Sequence, residues 1–182
     1  MIERRSWIKR IEEVWEETPI VWLSGVKGVG KTTLIQGLGT QRTLYVDCDP
    51  ARSAHIAADP ELFFRACDRP VVVFDDVHKL PDAMKILKTG ADLFPELRII
   101  ATSSTVAADG KAGDVLGDRK RRVHLGPVLW NELPAFNVSL ERRFYHGGLP
   151  EALLTEHRQG GFYREWMDAF FDRDIREPFG FR

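Results

Sequence analysis

The segment SGVKGVGKTT, residues 24 to 33, places three glycines, two lysines and two threonines directly after the apolar run IVWL. Gly25, Gly30, Lys31 and Thr32 fit the spacing G-x-x-x-x-G-K-[ST] without a gap. Each residue type has a physical task in that pattern. Glycines let the backbone curl so that the N–H groups of Val26, Lys27, Gly28 and Val29 face inward as an anion nest. A helix starting at Lys31 adds free N–H groups, those of Thr32 and Thr33 included, and the positive end of its dipole. Lys31 supplies a point charge for β- and γ-phosphates, and the Thr32 hydroxyl a ligand for Mg²⁺. The plainer alternative, a glycine turn with an exposed lysine, leaves the position between strand and helix unexplained.

A phosphate cradle also needs a carboxylate for the metal. VVVFDD offers Asp75 at the end of an apolar strand, on the side where an open α/β sheet binds its ligands. Asp75 is expected to hold Mg²⁺ and Asp76 to polarise the attacking water, unless Asp76 merely caps the helix near Leu80. IIATSST places Thr102 and Ser104 at another strand end, as γ-phosphate or water ligands or as local caps. The basic run DRKRR (118–122) reads as a solvated turn, or else Arg119 or Arg122 reaches a phosphate of its own or a neighbouring site.

The elements that must position these residues alternate along the chain. An amphipathic first helix carries Ile2, Ile8, Ile11, Val14 and Trp15 near helical spacing. Strands are expected at 20–24, 43–47, 70–76, 97–104 and 121–125, with helices at 31–39, from Pro60 and over 82–94. Continuous rather than alternating apolar strands imply a parallel α/β sheet with right-handed crossovers. The 182 residues suffice for one domain with a sizeable core. A net charge of −1 gives no support for nucleic-acid binding. No apolar stretch approaches a membrane span and the start has no signal-peptide core, so a cytoplasmic location is expected. Cys48 and Cys67 suggest neither a disulfide framework nor a zinc site. The histidines form no ligand cluster, and His78 reads as a turn residue. A guanine clamp is missing, which leans toward adenine; Trp7, Ile8 and Ile11 wall the base or simply pack the core.

The order of VWLSGVKGVGKTTLIQGL, TLYVDCDP, VVVFDDVHKLPD, IIATSST, LGPVLWNEL, YHGGLPEALL and REWMDAFFDRDI resembles a group of bacterial and archaeal AAA+-like ATPases. The resemblance runs from about residue 4 to about residue 177, and GGLPEA and FFDRDI are its most specific segments. It implies a P-loop NTPase three-layer sandwich with a five-stranded sheet in the order 5-1-4-3-2, binding ATP or ADP with Mg²⁺. Gly25 to Thr32 resemble Walker A and Asp75 the Walker B metal ligand. Asp76 stands where the family has glutamate, Ser103 where sensor 1 has glycine, and Arg119 near the family's Gly-Arg. A core over 1–126 and a small, mostly helical C-terminal extension over 127–182 are expected. Relatives continue into a further domain where this chain ends at EPFGFR.

Three activities follow as expectations. The first is an Mg²⁺-dependent ATPase in which Lys31 and Arg119 stabilise γ-phosphate charge and Asp76 orients water. The second is a nucleotide-binding switch with little hydrolysis, and the third, less favoured, a small-molecule kinase. A homo-oligomer or another protein partner fits the first two.

Overall fold

The computed structural model describes residues 2–103, 115–156 and 160–176. Five parallel strands form one sheet: β1 (Ile20–Ser24), β2 (Thr43–Asp47), β3 (Val71–Asp75), β4 (Arg98–Ser103) and β5 (Lys120–His124). Their order is β2-β3-β4-β1-β5, the expected 5-1-4-3-2 read from the other edge. The register aligns Asp47 with Asp75 and Ser24 with both Ser103 and His124. Every strand therefore ends at the same edge of the sheet.

Both faces of the sheet are covered, which is why the strands read as unbroken apolar runs. Ile20, Trp22, Val72, Phe74, Ile99 and Ala101 point to one core, closed by α3 (Pro50–Ala58), α4 (Pro60–Arg65) and α5 (Ala83–Leu93) through Ile56, Phe64, Ile86 and Leu87. Val21, Leu23, Val71, Val73 and Ile100 point to the other, closed by α1 (Arg5–Glu17) and α2 (Lys31–Gln36) through Ile11, Val14, Trp15, Leu34 and Ile35. The result is the three-layer α/β sandwich expected.

One reading needs correction. Ile2 lies outside α1 and packs instead with Val128, Leu133, Phe136 and Leu153. A further helix, α3, follows β2. Its start repeats the Asp-Pro signal used for α4: the Asp49 side chain accepts from the Ala51 amide at 3.0 Å, with Pro50 in the first turn.

After β5 come the short helices α6 (Leu133–Phe136), α7 (Leu140–His146) and α8 (Pro150–Leu154), then α9 (Phe162–Phe170), continued by a π-helical turn over Phe171–Arg176. Leu149, Ala152, Phe162 and Trp166 pack against the core beside the glycine-rich loop. A buried bidentate pair also ties this segment to the N-terminal residues, with Arg4 Nε and Nη2 donating to Glu132 Oε1 and Oε2 at 2.8 and 2.7 Å. No helix among the described residues is long and apolar enough to cross a membrane.

Candidate functional site

The loop between β1 and α2 opens into a cavity of about 650 Å³ at the C-terminal edge of the sheet. Lys27, Gly28, Gly30, Lys31, Thr32 and Thr33 line it, together with Asp75, Asp76, His78, Lys79, Pro150 and Glu151. Gly25 takes φ +151°, and a Cβ there would stand 2.6 Å from the Leu125 carbonyl oxygen, so only glycine fits where the loop leaves the sheet. Lys31 is buried, its Nζ donating to the Gly25 carbonyl at 2.6 Å and the Val26 carbonyl at 3.3 Å. A desolvated ammonium held against a loop with glycines at its turns is an arrangement suited to an anion.

Of the expected phosphate ligands, Gly25, Val26 and Val29 do not line the cavity. The Val29 side chain is fully buried and its amide donates to the Val26 carbonyl at 3.3 Å. These three residues shape the cradle from behind, and the lining falls to Lys27, Gly28 and Gly30 to Thr33.

Asp75 is the hub of the site. Its Oδ2 accepts from Thr32 Oγ1 at 2.9 Å and from the Tyr45 hydroxyl, while Oδ1 accepts from Thr102 Oγ1. Thr32 and Asp75, the pair expected to hold Mg²⁺, thus meet, although 43 positions separate them in the chain. Two hard oxygen donors beside a phosphate cradle suit Mg²⁺, which prefers a few protein oxygens supplemented by phosphate and water. Tyr45 escaped the sequence reading because a strand tyrosine has many ordinary roles. Burial foremost, and then its bond to Asp75, raise its pKa and keep it a neutral donor.

The expectation for Thr102 as a phosphate or water ligand is corrected. Thr102 is fully buried and absent from the lining, and its hydroxyl accepts from the Asp76 amide at 2.9 Å while donating to Asp75. It positions the Asp75 carboxylate and the backbone of Asp76. Ser104, its suggested alternative, lies outside the described residues.

Asp76 has left-handed backbone geometry, φ 56° and ψ 48°, costly for a non-glycine residue, and turns its side chain into the cavity. It makes no side-chain cap; its Oδ2 accepts from Lys79 Nζ at 2.9 Å. Burial favours the neutral acid, but the Lys79 hydrogen bond and the charges of Lys79, His78 and Lys31 outweigh it and hold the carboxyl below its ordinary range. His78, read as a turn residue, also lines the cavity. Below the site the Cys48 thiol is buried, pushed up to about 12 by burial and the charges of Asp75, Asp47 and Asp76, and so unreactive.

Arg119 is not part of this cavity. It precedes β5, whose first residue Lys120 aligns with Ile20 at the start of β1, so it lies at the sheet edge opposite the glycine-rich loop. There its guanidinium pairs with Asp92. The rest of the basic run behaves as a surface segment: Lys120 lies over the Trp22 ring at 5.1 Å and Arg121 faces Glu17.

Beside the first cavity lies a second of about 330 Å³, lined by Ile2, Arg4, Leu34, Phe136 and Leu154 with Gly30, Thr33, Pro150 and Glu151. Trp7, Ile8 and Ile11, suggested as a wall for the base, belong instead to the core and its margin. Trp166 of α9 donates to the Lys27 carbonyl at 2.9 Å, and Arg4 Nη1 to the Val29 carbonyl at 3.2 Å. The outer, carbonyl side of the loop is thus held by residues from both ends of the chain.

The comparisons agree with this fold. A family model described as an AAA domain (AAA_14) matches residues 17–133. The uncharacterized protein Rv2008c of Mycobacterium tuberculosis is 24% identical over 97% of the chain, which spans 41% of that protein's length. Among solved structures, the Walker-type ATPase PABY2304 of Pyrococcus abyssi superposes with TM-score 0.58 at 16% identity, over 94% of this chain and 72% of that one. AMPPCP-bound DnaA from Aquifex aeolicus gives 0.51 at 17% identity, over 95% and 62%. With its P-loop NTPase fold and a family match covering more than half its length, the chain belongs to the AAA_14 family of AAA domains.

Proposed function

We propose that the chain binds ATP with Mg²⁺ in the cavity beside the glycine-rich loop and hydrolyses its β–γ phosphoanhydride bond. The observation that carries this reading is the meeting of Thr32 and Asp75 at the mouth of a cradle that also buries Lys31. When bound, Mg²⁺ supplies charge neutralisation for the phosphates. Lys31 leaves the Gly25 and Val26 carbonyls for phosphate oxygens. Thr102 holds Asp75 and the Asp76 backbone in fixed relation, and Asp76 accepts a hydrogen bond from the attacking water. The base enters the smaller, largely apolar cavity. Any phosphate that Arg119 contacts belongs to a neighbouring copy, so Arg119→Ala is expected to leave nucleotide affinity unchanged.

A second reading, a nucleotide-binding switch with little turnover, is favoured by the Lys79–Asp76 pair, which engages the carboxylate that water needs. Phosphate release under saturating Mg·ATP separates the two. An ATPase loses about 10²–10⁴-fold on Asp76→Asn and gains on Asp76→Glu, whose extra methylene extends its reach. If the wild type binds ATP but releases no phosphate, the switch is correct. If Asp76→Asn matches an active wild type, Asp76 has no part in the chemistry.

A further inference from the structure

We propose, resting on the nucleotide reading above, that Glu151 reads the ribose: its carboxylate accepts hydrogen bonds from the sugar hydroxyls and makes the site prefer ribonucleotides to 2′-deoxyribonucleotides. The two cavities share four residues, Gly30, Thr33, Pro150 and Glu151. A nucleotide with its phosphates on the loop and its base among Ile2, Leu34, Phe136 and Leu154 must pass its sugar through that seam. Only Thr33 and Glu151 bring polar side chains to it.

Glu151 stands exposed in the first turn of α8 and lines both cavities. A carboxylate next to a triphosphate is repelled unless it faces hydrogen-bond donors, and a ribose diol offers two O–H donors without charge. Among the described residues no side chain pairs with this carboxylate. The Glu151 carbonyl, by contrast, is engaged by the Thr155 amide at 3.2 Å and hydroxyl at 2.7 Å, so the backbone of α8 is fixed while the side-chain acceptor stands open.

The turn that presents Glu151 is also built to be rigid. Gly147 takes φ +79°, and a Cβ there would fall 2.0 Å from the Tyr163 hydroxyl, which donates to the His146 carbonyl at 3.0 Å. The Gly148 carbonyl accepts from the Val128 amide at 2.8 Å, and Pro150 sets the first turn of α8. With the backbone already ordered, binding has only the rotamers of the Glu151 side chain left to fix.

Calorimetric titration of the wild type with Mg·ATP and Mg·2′-deoxy-ATP tests the proposal. The wild type is expected to bind the deoxy compound about tenfold more weakly, the value of one charge-assisted hydrogen bond. Glu151→Ala, at an exposed position, should bring the two affinities to near equality, and Glu151→Asp should give an intermediate gap. Equal affinities in the wild type, or a tenfold gap that survives Glu151→Ala, overturns the ribose assignment while leaving nucleotide binding in place. If the wild type binds neither compound, the nucleotide reading fails and this proposal with it.

Discussion

At the phosphate end of the site, Asp75 and Asp76 stand at the end of β3 while Lys31 and Thr32 open α2 after the loop that leaves β1, and the strand register sets where β1 and β3 end relative to one another. At the sugar and base end, Ile2, Phe136, Pro150, Glu151 and Leu154 come from the N-terminal residues and from short helices after β5. The first end is fixed by backbone ladders on both sides of each strand. The second is fixed by a few long-range side-chain ties, chief among them Arg4–Glu132, formed across 128 positions. Substitutions should therefore separate the two ends, with stability resting heavily on the ties and phosphate affinity on the sheet.

Arg4→Met should have the largest effect. It leaves Glu132 buried without its cation, which costs on the order of 3–5 kcal/mol, readable as a lower urea midpoint. The same pair predicts a pH dependence. Burial works against ionisation of Glu132, but Arg4 and the Leu129 amide outweigh it and hold the carboxyl below its ordinary 4.5. Its stabilising contribution is complete above that value and is lost as pH falls through the lowered folded value. The midpoint of the wild type should therefore drop below pH 4.5, and that of Glu132→Gln should drop less.

Asp75→Asn should come next, on the phosphate side. It removes the charge proposed to meet the metal while leaving one acceptor oxygen for the Thr32, Tyr45 and Thr102 hydroxyls. ATP affinity should lose most of its response to Mg²⁺, about tenfold or more, with the fold retained. An unchanged response would make Asp75 a structural anchor only. Leu154→Asp should show the smallest effect, a several-fold loss of ATP affinity from a charge placed in the apolar cavity. Tripolyphosphate, which has no base, should bind this variant like the wild type. Equal losses for both ligands would mean that the two ends are not separable.

The same contrast explains what could be read in advance. The continuous apolar strands and the loop spacing marked out the sheet and the cradle because their signals are local: IVWLS and TLYVD became β1 and β2 to the residue. The helix α3 was equally legible from Asp49-Pro50, by the rule applied to Asp59-Pro60. Tyr45 and Lys79 were not, since a strand tyrosine declares no partner until β3 brings Asp75 beside it, and a turn lysine none until the tight turn over Val77–Lys79 brings it back to Asp76. Thr102 was seen at the correct strand end, but its burial, which turns it toward the Asp75 carboxylate and the Asp76 amide, depends on the packing of β4 between β1 and β3. Arg119 was drawn to the site by the charge of its run and by its place near the family's Gly-Arg, and the strand register put it at the opposite edge.

The central claim is that the glycine-rich loop binds the phosphates of Mg·ATP through Lys31. Calorimetric titration of Mg·ATP into the wild type and Lys31→Ala tests it most directly. The account predicts saturable one-site binding by the wild type and a loss of about 1.5–3 kcal/mol in the variant, roughly ten- to a hundredfold in affinity. Equal affinity in the two proteins would contradict it.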